Sequence, residues 1–310
     1  MKITVLDGYA ANPGDIPWDE VSSLGELTVH DRSKPEEIIP RAMDCDILLT
    51  NKCAITREII FSLPRLKYIG VLATGYNNID LDAAREKGIA VTNIPAYSTS
   101  CVSQLVMAFI LEAAMHVGEH SRLCLDGAWQ RCPDFCFWKY PLAELEGKTL
   151  GIIGQGRIGS RVKKLAEAFG MVTIAYSPSR CDKSVLDEIF AKSDIISLNC
   201  PLKPETKGLI CRDTISRMKK DVWIVNTARG PVVDENDMAD ALRNGQVGMY
   251  MADVVSKEPI EGTNPLLTAP NVMLTPHIGW ASLEARKRLM TISAQNIAAF
   301  QNGERLNRVE

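Results

Sequence analysis

Short apolar runs alternate along this chain with stretches whose apolar residues return every three or four positions. Residues 3–6, 46–50, 66–73 and 89–92 have the apolar density of strands buried on both faces. Between them, 35–43, 56–62 and 80–87 show helical spacing. This alternation predicts a small α/β domain of about 100 residues built on a doubly wound parallel sheet. A long apolar helix follows, capped by Ser98 or Thr99 and running to about His120. From Leu150 the alternation resumes on a larger scale. Strands are predicted at 149–153, 172–177, 195–200, 222–227, 249–253 and 271–275, and helices at 157–169, 184–191, 211–218, 234–244 and 281–301. The last helix lies beyond the second sheet and is expected to pack back on the first domain, leaving the termini together. The fold class is therefore α/β, with two doubly wound parallel-sheet domains. A larger Rossmann-type domain (99–284) is inserted into a smaller flavodoxin-like one (1–98 and 285–310).

One turn carries specific chemistry. After the strand ending at Ile153 comes Gly154-Gln155-Gly156-Arg157-Ile158-Gly159, a G-x-G-x-x-G. Ile158, Val162, Leu165, Ala166 and Phe169 then recur at helical spacing. Strand, glycine turn and helix start form the context a dinucleotide fingerprint requires. Gly154 permits the turn, Gly156 lets a pyrophosphate approach the backbone, and Gly159 lets helix and strand pack closely. The first N–H groups of the helix, at Arg157 and Ile158, then face the phosphates with the helix dipole behind them. A second glycine loop, Ala73-Thr74-Gly75-Tyr76, follows the strand at 66–73, at the carboxyl end where open α/β sheets bind ligands.

Composition narrows the class further. The chain has 310 residues, 46% hydrophobic and 24% charged, with a formal net charge of −3 and no long basic run. Neither nucleic acid nor an anionic membrane is an expected partner. The apolar run at the start is too short for a signal peptide, and 101–115 is too short to span a bilayer, so a cytoplasmic protein is expected. The nine cysteines are scattered without a C-x-x-C and read as reduced thiols. Cys132 and Cys136 stand four apart but have no second pair nearby. His116-Val117-Gly118-Glu119-His120 matches the zinc-peptidase pattern H-x-x-E-H, but Gly118 weakens the helix and no third ligand stands out, so no metal is expected. The aromatic stretch 129–141 reads as cover for a neighbouring subunit or a ligand pocket, or as a satellite apolar cluster.

Three polar residues follow strand ends of the second domain: Arg229 after 222–227, Glu258 beyond 249–253, and His277 after 271–275. Carboxyl ends of such strands converge on one crevice. With the glycine fingerprint, the segments Asn226-Thr227-Ala228-Arg229-Gly230, Asp253 through Glu258-Pro259, and Thr275-Pro276-His277-Ile278-Gly279 resemble the D-isomer-specific 2-hydroxyacid dehydrogenases over nearly the whole chain. Asn93-Ile94-Pro95-Ala96-Tyr97, Asp134-Phe135-Cys136-Phe137-Trp138 and Trp280 are most similar to the glycerate dehydrogenase (hydroxypyruvate reductase) branch.

The resemblance implies an NAD(P)-dependent reductase of small 2-oxo acids of the hydroxypyruvate or glyoxylate kind, working as a homodimer. In it Arg229 holds the substrate carboxylate and polarises the 2-oxo oxygen. His277 is the acid/base, and Glu258 orients its imidazole. Thr74, Gly75 and Trp280 would contact substrate. Cys200, Pro201, Thr206, Thr227, Ala228, Asp253 and Gly279 would line the cofactor, with Asp253 accepting from the nicotinamide amide. Two other readings share the fold. A corepressor of the C-terminal-binding-protein type should carry partner-binding tails, and this chain stops soon after Arg305. A formate dehydrogenase moves a hydride without moving a proton, so a Glu–His pair favours a carbonyl/alcohol couple. The sequence departs from the family's commonest pattern where an acidic residue should hold the ribose 2′-OH about 20 residues after the glycines. Ser177, Pro178, Ser179 and Arg180 stand there instead, hydroxyls and a guanidinium that suit a 2′-phosphate. NADP(H) is therefore expected over NAD(H).

Overall fold

A computed structural model of the protein describes residues 1–177 and 182–310. They divide into two compact units, Met1–Ser98 with Trp280–Glu310, and Thr99–Gly279. The chain returns to the first unit at Trp280, ahead of the boundary expected at 285.

The first unit runs β1 (Lys2–Val5), α1 (Asp19–Ser22), β2 (Glu26–Val29), α2 (Pro35–Ala42), β3 (Ile47–Thr50), α3 (Arg57–Ser62), β4 (Tyr68–Val71), α4 (Leu81–Glu86) and β5 (Ala90–Thr92). Its sheet is parallel throughout in the order β2-β1-β3-β4-β5, the flavodoxin-like order, with the topological switch between β1 and β3. β3 and β4 are buried at every position, as their apolar runs predict. Thr56 and Asp80 cap α3 and α4, accepting from the N–H groups of Ile59 and Ala83. At the carboxyl edge, Asp7 ties β1 to the loop after β3. Its carboxylate accepts from Thr50 Oγ1 at 3.0 Å and from the N–H groups of Asn51, Lys52 and Cys53 at 2.8, 2.6 and 3.2 Å.

The second unit opens with two helices where one was expected. α5 (Thr99–Met115) stops at His116, which takes a left-handed φ of 48°, and α6 (Val117–Leu125) leaves at a 56° bend. An α-helix cannot continue through a left-handed residue. No single described helix is long and apolar enough to cross a membrane. Then follow β6 (Thr149–Ile153), α7 (Arg157–Ala168), β7 (Val172–Tyr176), α8 (Lys183–Lys192), β8 (Ile195–Leu198), α9 (Arg212–Ile215), β9 (Val222–Asn226), α10 (Glu235–Arg243), β10 (Val247–Ala252) and β11 (Val272–Leu274). The six strands are all parallel, in the order β11-β10-β9-β8-β6-β7. Successive side chains point to opposite faces. Ile152, Val225 and Met251 join α5 and α7 in one core, with Val106, Ile110 and Val162. Ile153, Ile224 and Tyr250 join α8 and α10 in the other, with Ile189, Phe190 and Met238. The switch point lies between β6 and β8, so the loops after those two strands flank the crevice where such sheets bind ligands.

The chain then re-enters the first unit through α11 (Leu283–Gln301), whose cap Ser282 accepts from Ala285 N–H. Beyond it Val309 N–H donates to Val91 O at 2.9 Å, and Glu310 Oε2 accepts from Val91 N–H at 2.8 Å, so the end of the described chain is clipped to β5.

Candidate active site

The residues that would hold a dinucleotide stand at the carboxyl ends of β6, β8 and β9. Gly154 adopts a φ of +102°, and a Cβ there would lie 2.6 Å from the backbone of Asn199 and Cys200. A Cβ on Gly159 would lie 2.0 Å from the Gly154 carbonyl oxygen, so only glycine lets α7 start this close to β6. Around Gly156 nothing among the described residues lies within 4 Å of where a Cβ would be, which leaves the turn open on their side to a phosphate group. Gly156 is the N-cap of α7, so Arg157 and Ile158 present the first turn of the helix, as the fingerprint requires.

Two buried polar atoms nearby lack a hydrogen-bond partner among the described residues, Asn199 Oδ1 and Thr227 Oγ1. Orphans of this kind are expensive and usually find a ligand or water. They lie just beyond β8 and β9, so the residues present fit a dinucleotide. Cys200 is buried, and burial pushes its thiol up to about 11. Thr206 serves its own turn, donating from Oγ1 to Pro201 O at 2.7 Å and accepting from Lys203 N–H at 2.8 Å. Ser177 follows β7 directly and is half-buried. Ser179 and Arg180, the rest of the proposed 2′-phosphate contact, fall outside the described residues.

The three polar residues read as chemistry also sit past strand ends of this sheet. Arg229 follows β9 and is exposed, with Nη1 donating to Ala228 O at 2.7 Å. His277 follows β11, and its Nδ1–H donates to Glu258 Oε2 at 2.7 Å. Both side chains stay partly accessible, at 28% for His277 and 36% for Glu258. The structure thus brings His277 and Glu258 into direct contact. Glycine also shapes this edge. A Cβ on Gly230 would lie 2.0 Å from Val255, so the turn carrying Arg229 packs directly on the loop leading to Glu258.

The task of Asn226, in the Asn226-Thr227-Ala228-Arg229-Gly230 segment, becomes visible in the fold. Fully buried at the end of β9, its Oδ1 accepts from Ala228 N–H at 3.0 Å and its Nδ2 donates to Arg229 O at 3.1 Å. That closes the turn presenting Arg229. Glu235 holds the loop before Glu258 by accepting from Ser256 N–H at 2.7 Å and Asn264 Nδ2 at 2.9 Å. An amide following an apolar strand and an acid opening a helix were the available signals.

Thr74 and Gly75 belong to the first unit, in the loop after β4. Thr74 Oγ1 donates to Ile94 O at 2.8 Å, and Thr74 O accepts from Asn93 Nδ2 at 2.8 Å, so the loop is braced against the 93–94 segment. Trp280 is the first residue of the returning chain. At the zinc-like motif, both ring nitrogens of His120 meet main-chain partners. Nδ1 donates to His116 O at 2.9 Å and Nε2 accepts from Lys139 N–H at 3.1 Å.

Comparison with known proteins agrees with this geometry. Residues 107–279 match the model of the D-isomer specific 2-hydroxyacid dehydrogenase, NAD binding domain. A hydroxypyruvate reductase from Blautia hydrogenotrophica is 48% identical, covering 99% of each chain. A glycerate dehydrogenase from Methylorubrum extorquens is 37% identical over 89% of each. Among solved structures, an acyclic imino acid reductase in complex with NADPH and D-Arg superposes with a TM-score of 0.85 at 30% identity, covering all of both chains. The relatives' names are those of the branch the sequence resembles. With a glycine cradle for a dinucleotide and a Glu–His pair on one sheet, and with these matches, the chain belongs to the D-isomer-specific 2-hydroxyacid dehydrogenase family of oxidoreductases.

Proposed function

We propose that the protein reduces a small 2-oxo acid of the hydroxypyruvate or glyoxylate kind to the D-2-hydroxy acid, and runs the reverse reaction. The observation that carries this reading is the 2.7 Å contact between His277 Nδ1 and Glu258 Oε2 past the strand ends of a dinucleotide-binding sheet. Once bound, a reduced nicotinamide supplies the hydride that this chemistry needs. Arg229 grips the substrate carboxylate with its planar fork and polarises the 2-oxo oxygen. His277 gives the Nε2 proton to that oxygen as C2 is reduced, and takes it back in oxidation. Glu258 holds the ring by Nδ1 and balances the imidazolium charge. A hydride acceptor with no proton to move, such as carbon dioxide, has no use for the pair. That favours a carbonyl/alcohol couple over formate chemistry.

Thr74, Gly75 and Trp280 are assigned to the substrate on family resemblance alone. For the cofactor we infer a preference for NADP(H), because Ser177 stands where a carboxylate would repel a 2′-phosphate; the NADPH complex of the imino acid reductase is in keeping with this. We infer a homodimer from the exposed apolar residues of α6 and the aromatic loop. Leu125, Trp129, Phe135 and Trp138 are 86, 56, 89 and 68% accessible. The decisive assay offers glyoxylate, hydroxypyruvate, pyruvate and bulkier 2-oxo acids with each reduced cofactor and follows loss of nicotinamide absorbance. Turnover confined to the small acids is expected. Cofactor binding without turnover of any of them would favour a regulatory protein of the same fold.

A further inference from the structure

We propose that Asp253 is a positioning residue that sets the His277 imidazole by gripping the backbone around it. This rests on the reading of His277 as the proton donor and goes beyond it. Asp253 ends the approach from β10 and is 3% exposed. Its Oδ1 accepts from Thr275 Oγ1 at 2.6 Å and from Ile278 N–H at 2.7 Å, and its Oδ2 accepts from Gly279 N–H at 2.7 Å. The three donors bracket His277 on both sides. Between them His277 adopts a φ of 55°, the left-handed region that a residue with a side chain seldom enters unless its surroundings hold it there. Its own N–H donates back to Thr275 O at 2.9 Å. The turn is thus a closed loop of hydrogen bonds with one carboxylate at its centre.

Gly279 fits the same purpose. A Cβ there would lie 2.9 Å from Asp253 Oδ2, so a larger residue would push the carboxylate off the turn. A carboxylate offers about four acceptor sites, and three are spent inside the chain. Asp253 is therefore first a clamp on the His277 turn, and a nicotinamide amide would meet only what remains. Asparagine cannot replace it. Whichever way the amide is turned, its NH2 faces the donors on one side, and at least one bond is lost.

The test uses full-length Asp253→Asn, Thr275→Val and Gly279→Ala beside His277→Gln. For Asp253→Asn, kcat for the preferred 2-oxo acid should fall about 10²-fold, the size expected of a slightly misplaced catalytic group. The KM for the acid and the Kd for the reduced cofactor, read by fluorescence titration without turnover, should each change less than about threefold, since the Asn oxygen can still accept from a nicotinamide amide and the acid is held elsewhere. In amide NMR spectra the Ile278 and Gly279 signals should move and lose exchange protection. Gly279→Ala should act in the same direction, and Thr275→Val less strongly. A Kd weakened tenfold or more with kcat retained would overturn the proposal, making Asp253 a cofactor ligand. If Asp253→Asn does not fold, an unchanged kcat in both Thr275→Val and Gly279→Ala overturns it equally. Loss of activity in His277→Gln alone would leave His277 as the acid and remove only the clamp. Full activity in His277→Gln would sink both.

Discussion

The Nδ1–H of His277 points at Glu258 Oε2 across 2.7 Å, which turns Nε2 away from the carboxylate and, in the proposed reaction, leaves it to meet the substrate. Replacing His277 with Ala should lower the reduction rate by about 10²–10⁴-fold, with cofactor affinity intact. In the proposed reaction, reduction would consume imidazolium and oxidation would require neutral imidazole. With chemistry limiting, the reduction rate should therefore fall as pH rises and the oxidation rate should climb. Parallel pH profiles in the two directions, or a loss below tenfold in the variant, would take His277 out of this role.

Arg229 is tested by a change that preserves charge. Lys keeps the cation but loses the planar fork that matches a carboxylate. Arg229→Lys should reduce kcat/KM for 2-oxo acids by about 10²-fold or more, in line with loss of a charge-assisted bidentate contact. Cofactor Kd should stay put. A kinetically silent Arg229→Lys would show that the side chain is structural.

The proposed cofactor preference rests on Ser177. A hydrogen bond from a hydroxyl to a charged phosphate contributes roughly 1.5–3 kcal/mol, about 10- to 150-fold in preference. We expect kcat/KM to favour NADPH over NADH, and Ser177→Asp to erase or reverse that preference by repelling the phosphate. A wild-type preference for NADH would defeat the idea.

Assembly can be read by sedimentation at micromolar concentration, where a dimer is expected. Leu125→Glu combined with Phe135→Glu should yield monomers, because each places a charge on the exposed apolar face of α6 and the aromatic loop. Monomeric wild-type protein would mean that this face serves something else.

The first unit carries a pH-dependent brace. Asp46 is buried, and the Lys2 backbone N–H, with Lys67 and Arg65 beside it, holds its carboxyl below the usual carboxylate range. A folded-state pKa below the unfolded value of about 3.9 means that the stabilisation is present above that value and lost as pH falls through the folded one. Asp46→Asn should therefore cost roughly 1–3 kcal/mol at pH 7, measured by urea unfolding. The gap to wild type should close below about pH 4. A gap of constant size from pH 7 to pH 3 would remove the ionised carboxylate as its cause.

The buried strands were legible because both their faces need apolar residues, as in β3, β4 and β8. β2 was not, because it is an edge strand with Glu26, Thr28 and Val29 exposed and no apolar run to betray it. The predicted helix 211–218 shrinks to Arg212–Ile215, and the helix predicted to reach His120 breaks at His116, where no glycine or proline marks the left-handed residue. Arg229, Glu258 and His277 stood out because strand ends in parallel sheets converge. Asn226 binds groups in the turn directly after it, so its signal was local, an amide closing an apolar strand. The task of Gly230 was invisible, because it depends on the loop after β10, which only the tertiary fold brings near.

The insertion of 99–279 into the first unit also orders events on the ribosome. β1 to β5 are synthesised first, but α11, which packs on β4 and sets Phe300 against Tyr68 with ring centroids 5.0 Å apart, comes only after the whole insert. At about 5–20 residues per second, that leaves the nascent sheet waiting roughly 10–40 s for its covering helix. The inserted unit has no such wait, since all its strands and helices are consecutive. The unit that begins first is thus the last to close.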